Sequence, residues 1–399
     1  MDGNFKGESQ SSQAFKFTGD GGRYFLICLV NSLLVFITLG IYLPWALMKC
    51  RRYIYSNMKL DGQSFTYGVT GGSVFLSWLM LMMIYIVGMV LISYNYIFAG
   101  SLILLLLVLS IPVLIVKNLH YQGMMTTLNG IRFSFKCGAM RAWWNMLGLP
   151  IAMLLGWSAV IFALVQICPM ETAGEMIFSV IVIGLIGLVG LGVASGISYS
   201  RLMTIVGQGG RFGIHRFDVQ INVRHCIKSA ILAMMALIPF LVVVGFILSA
   251  LLLSMAELDT TAMTEDELEM MIFLEYQRQI IISEIIYYIG IAVSMSYLTV
   301  AFRNHFLNNL KLADGNIRFR STLTFHGMVY RLGSLYVISA ITGGLAYPLL
   351  RMWVIAWLAE NTFVVGNLDE LELTNSDDVV ENGVVARLSR GMMPTLDFM

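Results

Sequence analysis

The chain has 399 residues, 58% of them hydrophobic and only 12% charged, with a formal net charge of +1. A soluble domain carries about 25% charged residues, so an ordinary globular fold is excluded and the expected class is an all-α, polytopic helical membrane protein. Five scattered cysteines without a CxxC pair argue against a disulfide framework or a zinc module, and no basic domain is present to hold a nucleic acid.

Residues 1–23 form a polar N-terminal tail that lacks the cationic-then-apolar pattern of a secretory signal. Eight apolar segments follow, at about 24–48, 73–97, 98–116, 144–167, 176–198, 230–255, 280–302 and 334–358. Each has roughly the length that crosses a bilayer as a helix. Ser93-Tyr94-Asn95-Tyr96 is a short link that folds the second and third segments into a tight antiparallel pair. Pro169 ends the fourth, and Gly184, Gly187, Gly190 and Gly192 give the fifth a small-residue face for close helix approach. Residues 257–275 are acidic, and Thr264-Glu265-Asp266-Glu267 reads as a capping box that starts a helix. Residues 359–399 form an acidic, polar C-terminal tail in which 384–390 has the pattern of a short amphipathic turn.

Four connectors hold most of the lysines and arginines: the one after the first segment, with Lys49, Arg51, Arg52 and Lys59, and its counterparts around Lys117–Arg141, Arg201–Lys228 and Arg303–Arg331. The positive-inside effect puts these in the cytoplasm, beside anionic phospholipids of the bilayer. A count of eight single spans then leaves both termini outside. The alternative is that Asn31, Thr38-Leu39-Gly40 and Pro44 break 24–48 into a short hairpin.

The connectors resemble one another. Aligned on Gly62, Gly130 and Gly315, they share Arg52, His120 or His305 ten residues earlier and Asp61, Asn129 or Asp314 one residue earlier; a fourth, weaker copy centres on Gly213. Asp-Gly or Asn-Gly suits either a helix C-terminus or a type I′ hairpin turn. The alternation that follows, as in Ile131-Arg132-Phe133-Ser134-Phe135, is that of a short strand with one apolar face. Such backbone is viable only outside the hydrocarbon or buried in protein, so the connectors are expected to pack as a small cytoplasmic cap. Phe15, Gly21-Gly22 and Phe25 repeat Phe65, Gly71-Gly72 and Phe75 at a constant offset, so the N-terminal tail imitates the cytoplasmic half of a repeat.

The stretch Gly40-Ile41-Tyr42-Leu43-Pro44-Trp45, the connectors LNGIRFSF and FGIHRF, and the late Tyr347-Pro348-Leu349-Leu350 resemble the YjgN family of bacterial inner-membrane proteins. The likeness runs from about Gln13 to the C-terminus. It implies a multispanning inner-membrane protein and brings no substrate, cofactor or catalytic set.

Candidate sites come from charge in unusual places. Arg52, His120, Arg132, Arg216, His305 and Arg318 recur at related connector positions and could ring an anionic ligand or lipid headgroup, a task that suits the guanidinium fork. The competing reading is that these cations only set topology; Ser64 stands where the first copy should have arginine. Glu284 and Arg351 are isolated ionisable residues within apolar segments and are candidates for an intramembrane charge pair. No nucleophile constellation, metal-ligand spacing or cofactor fingerprint is visible, so no enzyme and no cofactor is expected. Two functions remain: transport or permeation of a small solute or lipid, or a non-transporting scaffold or sensor whose cap binds a ligand or partner.

Overall fold

A computed structural model describes residues 12–169, 171–256, 277–367, 374–381 and 383–392, with residues 270 and 371. Its element order is a unit repeated around the chain: two helices in antiparallel succession, then two short strands. The helix pairs are α1 (Gly21–Ile37) with α2 (Leu43–Asn57), α3 (Gly71–Ser93) with α4 (Ile97–Met124), α5–α6 (Ala139–Trp143 and Leu149–Ile167, joined by one π-helical turn) with α7 (Ala173–Gly209), α8 (Val223–Ala256) with α9 (Gln277–Asn309), and α10 (Phe325–Ile341) with α11 (Tyr347–Glu360). A last short helix, α12 (Val384–Ser389), follows.

The second helix of each pair leads into a strand. The strand pairs are β3 (Met58–Leu60) with β4 (Gln63–Tyr67), β5 (Thr126–Leu128) with β6 (Ile131–Phe135), β7 (Gly210–Phe212) with β8 (His215–Val219), and β9 (Leu310–Leu312) with β10 (Ile317–Ser321). The fifth joins the two ends of the chain. β11 (Thr362–Val365) pairs antiparallel with β1 (Ser12–Ala14), and β2 (Lys16–Phe17) pairs with β3. Only Phe15 separates β1 from β2, and its N–H donates to the Thr362 carbonyl at 3.0 Å. The single antiparallel sheet therefore closes on itself into a barrel, with β1 and β2 as one interrupted strand. Closure leaves no free edge to pair with another chain.

Local chemistry explains the joints. Asp61 and Gly62 both have positive φ (51° and 74°), as do Asn129 and Gly130 (50° and 79°). These are type I′ hairpin turns. The dipeptides therefore link strands and do not cap the preceding helices, which end at Asn57 and Met124. After the second strand a side chain starts the next helix: Asp20 accepts from Arg23 N, Thr70 from Ser73 N, Asn222 from Arg224 N and Thr324 from Gly327 N. Such N-caps contribute about 0.5–2 kcal/mol each.

Among the described residues, six helices are long and apolar enough to cross a membrane: α3, α4, the α5–α6 unit, α7, α8 and α9. The expected single spans at 24–48 and 334–358 differ. Each is split between two shorter helices, α1/α2 and α10/α11, that turn back at 38–42 and 342–346. The two turns share one hydrogen-bond plan. Thr38 Oγ1 donates to Leu34 O (2.7 Å) and accepts from Tyr42 N (3.0 Å); Thr342 Oγ1 donates to Ile338 O (2.8 Å) and accepts from Ala346 N (3.1 Å). Leu39 is 93% exposed and Ile341 80% exposed at these tips. An apolar, internally hydrogen-bonded tip is suited to end inside hydrocarbon. At about 1.5 Å per residue, a 17-residue helix reaches roughly 25 Å, short of the hydrocarbon core of about 30 Å.

Both chain ends thus join the same barrel as the basic connectors. That corrects the expectation of termini on the opposite side: the paired-helix units make every return an even number of crossings. The capping box at 264–267 and the acidic stretch 257–275 lie outside the described residues.

Within the spans, glycine decides how close helices come. A Cβ on Gly196 of α7 would lie 2.6 Å from Ile227 Cα of α8, and one on Gly192 would lie 3.1 Å from Ile231 Cα. Backbone cannot yield as a side chain can, so Gly196→Val should lower the thermal midpoint of the detergent-solubilised protein, at a cost of about 1–3 kcal/mol, whereas Gly245→Ala, with open space around it, should not. For topology, single cysteines at Thr18, Ser64, Thr127 and Arg320 in a cysteine-free background should all react with an impermeant maleimide in inverted vesicles, and Asn95 only in intact cells. Opposite sides for positions 18 and 64 would refute the closed barrel.

Candidate functional site

Strand alternation sends every second side chain to the barrel interior. The ring is lined by Phe15 between β1 and β2, then Leu60, Phe65, Leu128, Phe133, Phe212, Phe217, Leu312, Phe319 and Val364 from β3 to β11, with Leu310 of β9 and Thr362 of β11 beside them. Neighbouring rings touch around the circumference. Phe15–Phe65 centroids are 6.3 Å apart, Phe65–Phe133 6.2 Å, Phe133–Phe212 4.7 Å and Phe217–Phe319 6.0 Å. They surround a cavity of about 290 Å³ whose only charged lining residue is Arg303.

A second cavity of about 470 Å³ lies between this barrel and the helices. Phe65, Phe133, Phe217, Leu307 and Leu310 line both spaces, so they adjoin along one axis. Its wall comes from the second helix of every pair: Ile54 and Tyr55 on α2, Leu119 and Gln122 on α4, Val206 on α7, Phe306 on α9, and Arg351, Val354 and Leu358 on α11. Both volumes are of the size that holds small molecules; the lumen wall is almost wholly carbon, while the second cavity also carries Tyr55, Gln122, Thr126, Tyr347 and Arg351.

The predicted site residues do not converge on this axis. Arg132, Arg216 and Arg318 are exposed on β6, β8 and β10, one residue out of phase with the inward Phe133, Phe217 and Phe319. They face away from the lumen, so they do not ring one ligand. Arg52 donates to Val69 O at 2.9 Å, locking α2 to the strand-to-α3 connection. His120 is buried, with Nδ1 3.0 Å from Phe135 O. His305 Nε2 accepts from Asn222 N at 3.0 Å, and its ring stacks on His225 at 4.4 Å. These three fasten helix ends to the cap. The turn role expected of Gly62, Gly130, Gly213 and Gly315 fits their positive φ. Glu284 is exposed on α9, whereas Arg351 lies on α11 and lines the second cavity. The two are not brought together as a pair.

The acidic C-terminal tail is also not free in solvent. Asn375 Oδ1 accepts from Arg132 N at 2.9 Å, Asp378 accepts from Ser134 Oγ (3.0 Å) and pairs with Lys136, and Glu381 pairs with Lys117 at 2.5 Å. α12 then packs on α3 and α4: Ser77 Oγ donates to Arg387 O, and Arg390 lies 4.6 Å over the Tyr121 ring. Residues 384–390 therefore pack one face on protein, with Ala386 and Ser389 buried and Val384 and Val385 exposed. Burial opposes ionisation of Asp378, but the Lys136 and Ser134 hydrogen bonds hold its carboxyl below the usual range; Lys117 does the same for Glu381.

The inward phenylalanines line the cavity and were not among the residues singled out by charge. Their signal was present in the Phe15/Phe65 offset and in the aromatic that follows each turn glycine, but such residues equally suit a solid core.

The family described as "Bacterial protein of unknown function (DUF898)" matches residues 12–385. The chain is 48% identical over 389 residues to the inner membrane protein YjgN of Escherichia coli strain K12, covering 97% of both chains. It is 47% identical over 384 residues to inner membrane protein YjgN of Salmonella typhimurium strain LT2, covering 96% of both. No solved structure matches.

Depressed carboxyl pKa values stabilise the docked tail above the unfolded carboxylate range, near pH 4, and that contribution is lost as pH falls through the folded values. The tail should stay protected from limited proteolysis at pH 7 and become cleavable near pH 3. Lys136→Ala should weaken docking at pH 7 by about 0.2–1 kcal/mol, the range for exposed pairs, measured as a faster cleavage rate.

Proposed function

We propose, for a chain that belongs to the DUF898 family and is an inner-membrane protein by its relatives, that the axial cavity receives an apolar or amphipathic molecule such as a lipid. The observation that carries this reading is the shared wall of barrel lumen and helix vestibule, built from aromatic and aliphatic side chains. A hydrophilic solute would exchange water for carbon there, at a cost of several kcal/mol per unpaired polar group. An alkyl chain gains about 25 cal/mol for each Å² it buries. The protein then acts as a carrier or transporter of lipid-like cargo, with the cap on the cytoplasmic side by the positive-inside argument, and without bond-breaking chemistry of its own.

A second reading has one observation in its favour. The outward Arg132, Arg216 and Arg318 are exposed around the barrel, as a scaffold or sensor that meets anionic headgroups or an acidic partner would need. The two readings differ in where a ligand sits.

A photoreactive alkyl chain without a charged head, offered to the protein in nanodiscs, should crosslink at the vestibule residues Phe306, Leu310 or Val354. Val206→Trp fills that space and should reduce those crosslinks about tenfold or more, while labels on the lipid-facing Leu33 and Phe36 persist. Crosslinks confined to lipid-facing positions in the unmodified protein would overturn the reading.

A further inference from the structure

Among the cations of the connectors, Arg303 is placed unlike the others. It belongs to α9, seven residues or about two turns before β9 begins, and its side chain lines the barrel cavity. Nη1 donates to Ser321 Oγ at 3.1 Å and Nη2 to Thr362 Oγ1 at 2.9 Å. Those two residues face each other across β10 and β11. Both hydroxyls spend their own protons elsewhere, Ser321 on Asn304 Oδ1 (2.6 Å) and Thr362 on Leu358 O (2.7 Å). They orient the guanidinium without neutralising it.

No carboxylate completes the site. Among the described residues the ion pairs are Lys117–Glu381 and Lys136–Asp378, both in the tail contact. No Asp or Glu lines either cavity. Arg303 Nε is buried without a hydrogen-bond partner, as are Arg331 Nε and Arg390 Nε, and a guanidinium has more N–H donors than the two engaged here. The contrast with Arg331 is informative. That side chain lies 4.8 Å over Trp353 and 4.3 Å over Trp357, so aromatic faces compensate its charge. Positions equivalent to Arg303 in the first two repeats are the uncharged Cys50 and Asn118, and in the copy centred on Gly213 the exposed Arg201, which lines neither cavity. A charge withdrawn from water is costly unless a counter-charge meets it.

We infer that Arg303, with Ser321 and Thr362, is the anchor for the anionic head of an amphiphile whose alkyl tail occupies the axial cavity. This rests on the reading that the cavity takes apolar chains, and adds that the occupant carries a carboxylate or phosphate. The tail then runs along Leu307 and Leu310 into the vestibule.

The test uses the full chain in nanodiscs of neutral lipid and three ligands of similar tail length: palmitate, a palmitoyl lysophosphatidate and hexadecanol. The unmodified protein should bind at least one anionic ligand tenfold or more tightly than hexadecanol; which of the two it prefers identifies a carboxylate or phosphomonoester head. Arg303→Gln should remove that preference and leave hexadecanol affinity unchanged. Arg303→Lys should retain part of it, and Thr362→Val serves as a second variant if Arg303→Gln does not fold, with the expected result a weakened anionic preference. Equal binding of all three ligands by the unmodified protein, or a preference that survives Arg303→Gln, overturns the anchor. Absence of binding by all three overturns the cavity reading itself.

Discussion

Closure of the sheet by the two ends of the chain is the constraint on which the rest of the structure depends. Short strands of three to five residues make few hydrogen bonds each, and a hairpin alone is marginal in water. In a ring, each strand is paired on both sides and each inward ring packs against the next. The backbone bond from Phe15 to Thr362 joins residues at opposite ends of the chain. It makes the N-terminal tail a structural element of the barrel and forces both ends onto one side of the helices. Once the ring is closed, its diameter spaces the five second helices, and their separation is what leaves the vestibule open.

The helix pairs contribute unequally to that enclosure. Three pairs are long enough to cross the bilayer, and two, α1/α2 and α10/α11, turn back early. The short pairs are neighbours, because α1 packs against α11. They owe their stability in an apolar setting to the threonine-centred turns, which satisfy the backbone where the chain reverses. A single deep span at either place would need Thr38-Leu39-Gly40 or Thr342-Gly343-Gly344 in helix, yet Leu39, Gly40, Gly343 and Gly344 all take positive φ.

Sequence periodicity made the membrane class, the tight α3/α4 link and the strand-like connectors legible, because each is a local property of composition or alternation. The repeated Gly-aromatic spacing also disclosed that the connectors are alike. What was not legible was their order in space. A span and a pair of short helices have the same hydropathy, so 24–48 and 334–358 read as crossings. The hint at Thr38-Leu39-Gly40 was visible, but nothing local tells which alternative burial favours. Closure is a non-local fact. The Phe15/Phe65 correspondence pointed toward it, while the strand it joins, Thr362–Val365, has no repeat signature strong enough to be noticed. The candidate arginines do not converge for a related reason: alternation assigns arginine and phenylalanine to opposite faces, so Arg132, Arg216 and Arg318 lie on the outside of the barrel.

The cavity's position now bears on what can reach it. Leu335 of α10 and Tyr347 of α11 line the vestibule, so part of its wall is made by a short helix pair whose exposed tip is apolar. A molecule already dissolved in hydrocarbon meets carbon along that side and need not pass through water to arrive. From the opposite end, the lumen presents a ring of phenylalanines, which admits an alkyl chain more readily than hydrated solute. The two cations along the axis, Arg303 at the barrel cavity and Arg351 at the vestibule, are separated by apolar lining. That spacing gives an amphiphile a defined orientation, since the charged head has few places to rest and the tail has many. On the reading proposed above, a wholly neutral hydrocarbon would have no such preference.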